Sequence, residues 1–535
     1  MKKSIIVFCS VLLCSISAAF SQGEVEALKL SGSDLSGTAR GMAMGGAFGA
    51  LGGDLTGISI NPAGIGVYRS SEVVGTLGLA QEKSEVGSVT RNKTQFAFDN
   101  IGFVGYFPLR NDAIPFLNFG FTYNNIKNFD KNIATPFGSP NSSLMDYMSY
   151  VSNSFNDGKG VNPSLLDFNI TDDPFSSGAP WLSVFGFNSY LIDRNPNRTQ
   201  QGYEYDNRPS PLQDEAVDNS ISLSERGYVN NYDFTVGTMV ANKLNIGVAI
   251  TVADLYYRLT SRYSEEFSNG ENAGFDLRNY LKTDGAGVGA KVGIIYRPVN
   301  SFRIGVSYHS PVWYYLTDTY SAEMVEDVSA YFQNTDYESG RTNSDVYYVD
   351  YRLKTPDKWI FSLAGVFGNN FIASLDYEIN NYGSMKLKGD SNDADPEAVY
   401  AQDNRYISED YKTASTVRVG LEYRFTPQFS GRLGYAWMQN PYENNYYDGN
   451  VETKTVGSTT IYRIEGDKNY FTGGLGYRFN PNVYLDFALV YKTQKDKLYP
   501  YPNVFNDNGS IAIDASPFSL NNSNIKGLIT LGYKF

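Results

Sequence analysis

The chain has one histidine, His309, set in the run "SYHS" between Ser307 and Ser310. A serine beside an imidazole could begin a nucleophilic hydrolase site, but the ring then needs an acid to orient it. No acid stands close by in sequence and no GxSxG is present. Ser307 and His309 are also two residues apart, on one face of what reads as a strand. We assign no catalytic residue and read His309 as a polar group of that strand. The acidic run at 390–397, "DSNDADPE", could offer carboxylates to calcium, but it lacks the glycine an EF-hand loop needs at its sharp turn. No metal site and no cofactor are assigned. A haem would want a His, Tyr, Met or Cys axial ligand. One histidine and 42 tyrosines neither support nor exclude it.

The densest unusual chemistry is backbone. Ten of the thirty residues from 37 to 66 are glycine, and the segment ends "INPAGIG". It has no GxxxxGK[ST] and no strand–GxGxxG–helix context, so a phosphate cradle is not indicated. What such a segment does depends on what surrounds it.

Residues 1–21 read as a secretory leader: Lys2 and Lys3, an apolar run, then "SAAFSQ". Both cysteines, Cys9 and Cys14, lie in it. The remainder is expected to have no disulfide, thiolate metal site or cysteine nucleophile. The net charge of −13, with no basic run, argues against a nucleic-acid partner. Aromatic residues make up 15% of the chain, yet mean hydropathy is −0.33. A secreted sandwich or an outer-membrane barrel fits those totals.

Alternation separates the two. Phe487 and Leu489, Val419 and Leu421, and Ile304 and Val306 take one face of their segments. Arg418, Glu422, Arg303 and His309 take the other. Period two means strands. Unpaired charges on an inner face would ruin a sandwich core but suit a wet barrel lumen. We therefore expect the apolar set to face lipid and the polar set to face the lumen. Strands of about 10–14 residues, joined by short turns at 108–115, 241–243, 297–301, 367–370, 425–429 and 479–482, give six hairpins. A strand before them and one after complete an all-β, fourteen-stranded antiparallel transmembrane barrel over 71–535. Long polar connections at 130–227, 264–283, 321–345, 383–412, 440–467 and 494–524 fall on the opposite, extracellular rim. In the longest, 130–227, Leu144, Tyr147, Met148, Val151 and Phe155 recur at helical spacing. It either packs on itself or offers an apolar landing site.

The last strand, "GLITLGYKF", is amphipathic and ends on Phe535, like the signal by which barrel-assembly machinery recognises its clients. Residues 22–70 then precede the first strand on the periplasmic side. Glycine there lets backbone approach barrel side chains closely, as in an internal plug; a flexible periplasmic tail is the alternative. The second strand slips phase between Phe98 and Ile101, as a bulge at Asp99-Asn100 would cause. In the third strand, alternation holds to Tyr123 and then meets Asn124-Asn125. This pair is a candidate kink, or simply the strand end.

"GTARGMAMGGAFGALGGDLTGISINPAGIG" resembles the N-terminal signature of the FadL/TodX-type outer-membrane transport family. "RIGVSYHSPVWY", "TPDKWIFSLAG" and the terminal strand resemble that family too. The resemblance implies that 22–70 is a hatch closing the barrel, with Asn61, Pro62 and Ala63 its closing tripeptide. It implies uptake of a hydrophobic small molecule, such as a long-chain fatty acid, through an apolar lumenal site. Lateral release into outer-membrane lipid at a third-strand kink would follow. Two alternatives stay open: a haem receptor, or a non-transport barrel scaffold in a secretion or assembly complex. The expected location is the bacterial outer membrane and the expected state a monomer.

Overall fold

In the computed structural model the described residues are 23–109, 111, 113–195, 202–207, 217–267, 273–328, 340–368 and 370–535. The leader lies outside them. Fourteen antiparallel strands close one barrel. The first three are β1 (Glu72–Val86), β2 (Val89–Pro108) and β3 (Phe116–Asn128). Next come β4 (Val217–Val240), β5 (Leu244–Phe267) and β6 (Gly274–Val299). Two strands are interrupted: β7 runs as Phe302–His309 and Trp313–Asp327, and β8 as Tyr347–Lys354 and Lys358–Phe367. The wall continues with β9 (Phe371–Asn381), β10 (Thr413–Arg424), β11 (Phe429–Met438), β12 (Lys468–Arg478), β13 (Val483–Tyr499) and β14 (Phe518–Lys534). Pairing of β1 with β14, from Glu72↔Lys534 to Val86↔Leu520, closes the ring.

The alternation is what closure requires. Ile304, Phe487 and Leu489 are exposed on the outer wall, while Asp486, Ala488 and Val490 on the same strand are buried inside. The phase slip in β2 is a bulge: Thr76 faces Asn100 and Leu77 faces Phe98, which leaves Asp99 as the extra residue.

Strand length departs from the sequence reading. β4, β5 and β6 run 24, 24 and 26 residues. The stretches 217–227, 264–267 and 274–283 are strand, not loop. The reason is a swap of faces. Below, the apolar side chains point outward to lipid. Above, they point inward: Leu255, Tyr257, Leu259 and Tyr263 are buried while Arg258 and Arg262 are outside. A search for apolar-outward alternation ends at the swap.

What those inward residues pack against is the long connection between β3 and β4. It carries helix α4 (Leu144–Gly158), opened by a capping box between Ser143 and Asp146, and helix α5 (Trp181–Asn188). Leu144, Tyr147 and Met148 are buried, whereas Phe155 lies beyond the regular helix, in non-helical backbone. Trp181 sits against Tyr320 and Tyr347 of the barrel wall at ring distances of 4.8 and 5.0 Å.

Candidate functional site

The N-terminal segment lies against the inner wall. It comprises helix α1 (Glu24–Ser31), helix α2 (Ala39–Ala43), helix α3 (Leu55–Ile60) and a 3₁₀ turn, Pro62–Val67. Asn61 joins the last two and is 1% exposed. Its Oδ1 accepts the Ala63 N–H at 3.1 Å, capping a turn that Pro62 opens with its fixed φ. Its Nδ2 donates to the Gly49 carbonyl at 2.8 Å and the Ile294 carbonyl at 3.2 Å, tying the turn both to its own segment and to β6. Ala63 is fully buried. A Cβ on Gly293 would strike the Asn61 side chain, and one on Gly247 would strike the Pro62 carbonyl. Gly420 and Gly434 make the same room for Met44 and Gly45. Glycine therefore stands on both sides of the contact, in the wall as well as in the segment. The inward-facing wall glycines were the sequence signal for this seat.

The four inward residues of the sequence reading all meet this region. Arg303 donates to the Leu51 carbonyl. His309 Nε2 lies 2.8 Å from the Ile60 carbonyl. Ser307 donates to the Val292 carbonyl and Ser310 to that of Pro311, so neither hydroxyl engages the imidazole. Arg418 pairs with Glu378 inside the wall. Glu422 takes a bidentate pair from Arg40 of the segment, Nε to Oε2 at 2.8 Å and Nη2 to Oε1 at 3.1 Å. Arg432, which also bonds Asp486, reaches the same carboxylate at 2.7 Å. Burial works against the Arg40 charge, but the Glu422 carboxylate beside it holds its pKa above the usual guanidinium value. Asp34 is the second ionic tie, 3.2 Å from both Lys468 and Lys492. Burial opposes its charge, and those two lysines outweigh burial, holding the carboxyl well below its ordinary range. Neither Arg40 nor Asp34 was singled out from sequence, because their partners are hundreds of residues away. Small apolar clusters also contribute: Met44, Phe48 and Leu51 pack with Ala364, and Leu55, Ile58 and Ile65 pack with Val104.

The hydrogen-bond ladder of the wall lapses at one place, where Lys131–Ala134 continues the chain past β3 on the edge of β4 and Lys131 reaches Glu82 of β1 at 3.6 Å. The β2–β3 ladder runs from Pro108↔Phe116 and ends at Asn100↔Asn124. Asn100 Nδ2 donates to Asn124 Oδ1 at 2.6 Å, closing that last rung. Above it β3 pairs with β4 alone, through a register shift between Asn125 and Lys127, and β2 from 89 to 99 pairs with β1 alone. Asn125 bonds Asn230 of β4 at 2.9 Å, so the two asparagines pull towards opposite neighbours. Behind the break lies a cavity lined by Gln95, Ala97, Asn125 and Lys127 among others. Its wall is not the apolar pocket that the resemblance implied. It mixes methyl and aromatic groups with lysine, arginine and carboxylates, most of them ion-paired. Among the cations Lys127 is the exception. Its ammonium donates to the Lys29 carbonyl, lies 5.0 Å from the Phe129 ring and has no carboxylate within 4 Å among the described residues.

The fold has solved counterparts. A Pseudomonas aeruginosa FadL homologue covers 94% of this chain and 99% of its own, with a TM-score of 0.52 at 14% identity. The deltaS2 mutant of the TodX monoaromatic hydrocarbon channel covers 93% and 98%, with a TM-score of 0.50 at 12% identity. A 47 kDa outer membrane protein of Pasteurella multocida (strain Pm70) is 23% identical over 222 residues, which is 41% of this chain and 46% of that protein. The chain thus aligns with under half of that relative's length. Residues 228–516, just over half the chain, match the family model for outer membrane protein transport proteins (OMPP1/FadL/TodX). With a closed fourteen-stranded barrel of that fold, the chain belongs to the OMPP1/FadL/TodX family of outer-membrane transport proteins.

Proposed function

We propose that this protein moves hydrophobic molecules from the cell exterior through the barrel and releases them sideways into the outer membrane, between β2 and β3. Family membership supports transport of a hydrophobic compound. The observation that carries the lateral route is the ladder that stops at Asn100↔Asn124 with a cavity behind it. A solute descending from the exterior meets the hatch, tied to the wall by Asn61 and Arg40, so passage straight down requires breaking buried bonds. Above Asn100↔Asn124 no β2–β3 backbone rung has to break. In this reading Asn61, Pro62 and Ala63 keep the hatch seated, and Asn124 and Asn125 hold the kink open.

Within that class, long-chain fatty acids are the reading we favour. A buried cation without an anionic partner is unfavourable, and an incoming carboxylate supplies one. Lys127 stands where a fatty acid's head group could rest while its tail lies towards Ala97 and the lipid beyond. The test is uptake of a labelled fatty acid and a labelled monoaromatic hydrocarbon by cells with matched amounts of wild-type protein or Lys127→Met. The expected result is a loss of fatty-acid uptake of at least fivefold with hydrocarbon entry unchanged. Equal fatty-acid uptake by both proteins would overturn the carboxylate reading. The haem alternative finds no support in His309, which is committed to the Ile60 carbonyl.

A further inference from the structure

The outer wall carries a charged feature that transport does not use. Above the short turn at 241–243 the lipid-facing positions are Ile246, Val248, Ile250 and Val252 on β5, and Val288, Val292 and Ile294 on β6, with Asp254, opposite Asn230, the one carboxylate beneath the aromatic row on β5. Tyr228 and Tyr256 end that band, their rings 6.0 Å apart, as an interfacial aromatic girdle would. From Leu244 to Tyr256, at about 3.3 Å a residue and a tilt near 40°, the wall rises roughly 30 Å, slightly more than the apolar band of about 25 Å in such barrels. The next outward row, roughly 5 Å higher on the same geometry, lies at head-group depth.

That row is Arg226, Arg258 and Lys282. The register sets Arg226 directly opposite Arg258, and Arg258 directly opposite Lys282. Like charges directly opposite on one face of an antiparallel pair repel. Lys282 is relieved by Asp284, at 2.6 Å. Arg258 lies over the Tyr280 ring at 5.2 Å. Neither arginine has a carboxylate within ion-pair reach among the described residues. Asp130, the nearest along the chain from β3, accepts the Gly227 N–H. Two rows higher the wall shows what relief looks like. There Arg262 faces Arg278, and Asp276 bridges the two at 2.9 Å each, while Glu323 joins Arg278 to Arg341 at 2.9 and 2.8 Å. In the lower row Asp284 serves Lys282, and the two arginines have no such carboxylate among the described residues.

We propose that Arg226 and Arg258, flanked by Lys282, form a binding site on the barrel's exterior for a phosphate-bearing anionic lipid of the outer leaflet. Two guanidinium forks side by side suit phosphate oxygens, which a single lysine would bind only as a point charge. The aromatic girdle and the apolar band beneath would receive the acyl chains. The site is independent of the transport reading, since it lies outside the lumen.

The test is native mass spectrometry of the full chain, purified in a non-ionic detergent and supplied with a diphosphorylated glucosamine lipid. Three comparisons go with it: phosphatidylcholine of matched chain length, inorganic phosphate as competitor, and proteins carrying Arg226→Gln with Arg258→Gln. Charge is matched by a control pair on the loops, Arg405→Gln with Lys412→Gln. Wild type and the loop control are expected to hold the phosphorylated lipid, and the double variant to lose at least tenfold in occupancy. Arg258→Gln alone should lose at least threefold. Heat-modifiable gel migration reports that each barrel is folded. Equal occupancy in the double variant, equal retention of phosphatidylcholine, or displacement by inorganic phosphate at equal concentration would each overturn the proposal.

Discussion

Replacing Asn61 with alanine should loosen the hatch and leave the barrel closed. The side chain is fully enclosed and makes a cap to Ala63, a bond to Gly49 and a bond to Ile294. Loss of the cap costs about 1 kcal/mol. The Gly49 carbonyl, buried and deprived of its donor, adds about 1–3 kcal/mol. No barrel ladder loses a rung, because the pairing of β6 with β7 at Ile294↔Val306 is backbone to backbone. The whole penalty of about 2–4 kcal/mol therefore falls on the local opening of residues 49–67. At about 1.4 kcal/mol per decade, the open fraction should rise roughly thirty- to several-hundred-fold. The assay is amide hydrogen exchange of the detergent-purified protein, comparing peptides from 49–67 with peptides from β5 and β13. Faster exchange confined to the hatch is the expected outcome. Unchanged hatch exchange would refute the reasoning, and so would equal acceleration in the barrel strands, which would mean the hatch is part of the barrel's own cooperative unit.

Arg40→Gln should weaken the same seat by about 1–3 kcal/mol, because Glu422 keeps Arg432 as a partner and is not left bare; exchange at residues 38–46 reports it. Gly434→Ala would push a Cβ into Gly45 and Met44, backbone that cannot swing aside; about 1–3 kcal/mol of hatch destabilisation is expected, read by the same exchange experiment. Leu421→Arg on the lipid face should lower barrel stability by about 2–4 kcal/mol if it sits near the midplane, measured by reversible unfolding in lipid vesicles. Docking of α1 should depend on pH. Burial, then the neighbouring Glu26, pushes the Asp403 carboxyl up to about 6, and burial, then Asp410, raises that of Glu24. A carboxyl whose folded pKa is raised stabilises the folded state fully below its unfolded value, and that contribution is lost as pH rises through the folded pKa. Protection of residues 24–31, measured as exchange relative to the intrinsic rate at each pH, should therefore be greater at pH 5 than at pH 7.5, and Asp403→Asn should shrink the difference.

The barrel was legible because its physics is local. A strand between lipid and a wet lumen must alternate, and each short turn announces itself by composition, so the six hairpins and the fourteen strands follow from sequence. The β2 bulge was legible for the same reason, since Asp99 breaks the phase of Phe96, Phe98 and Ile101. The upper halves of β4 to β6 were not, because there the apolar face turns inward and the signal for a membrane strand inverts. Of the site, Asn61 and Pro62 showed through the glycine-rich run they close. Arg40 did not: its carboxylate is 382 residues away, and an arginine in a glycine-rich stretch carries no mark of its partner. Lys127 was equally silent, since what distinguishes it is the lack of a nearby carboxylate in three dimensions. The like-charge row of Arg226, Arg258 and Lys282 appears only once the register is known.

The central claim is that molecules leave through the wall between β2 and β3, and blocking that gap tests it most directly. Residues 23–535 contain no cysteine, so one placed at Ala97, which lines the cavity behind the gap, is the sole target among them for a bulky thiol reagent. A second protein with cysteine at Val288, exposed on the far lipid face, controls for modification itself. The account predicts that labelling at 97 abolishes uptake of labelled fatty acid, while labelling at 288 leaves it at the unmodified level. Undiminished uptake with position 97 fully modified would contradict lateral release and direct attention to the hatch as the exit.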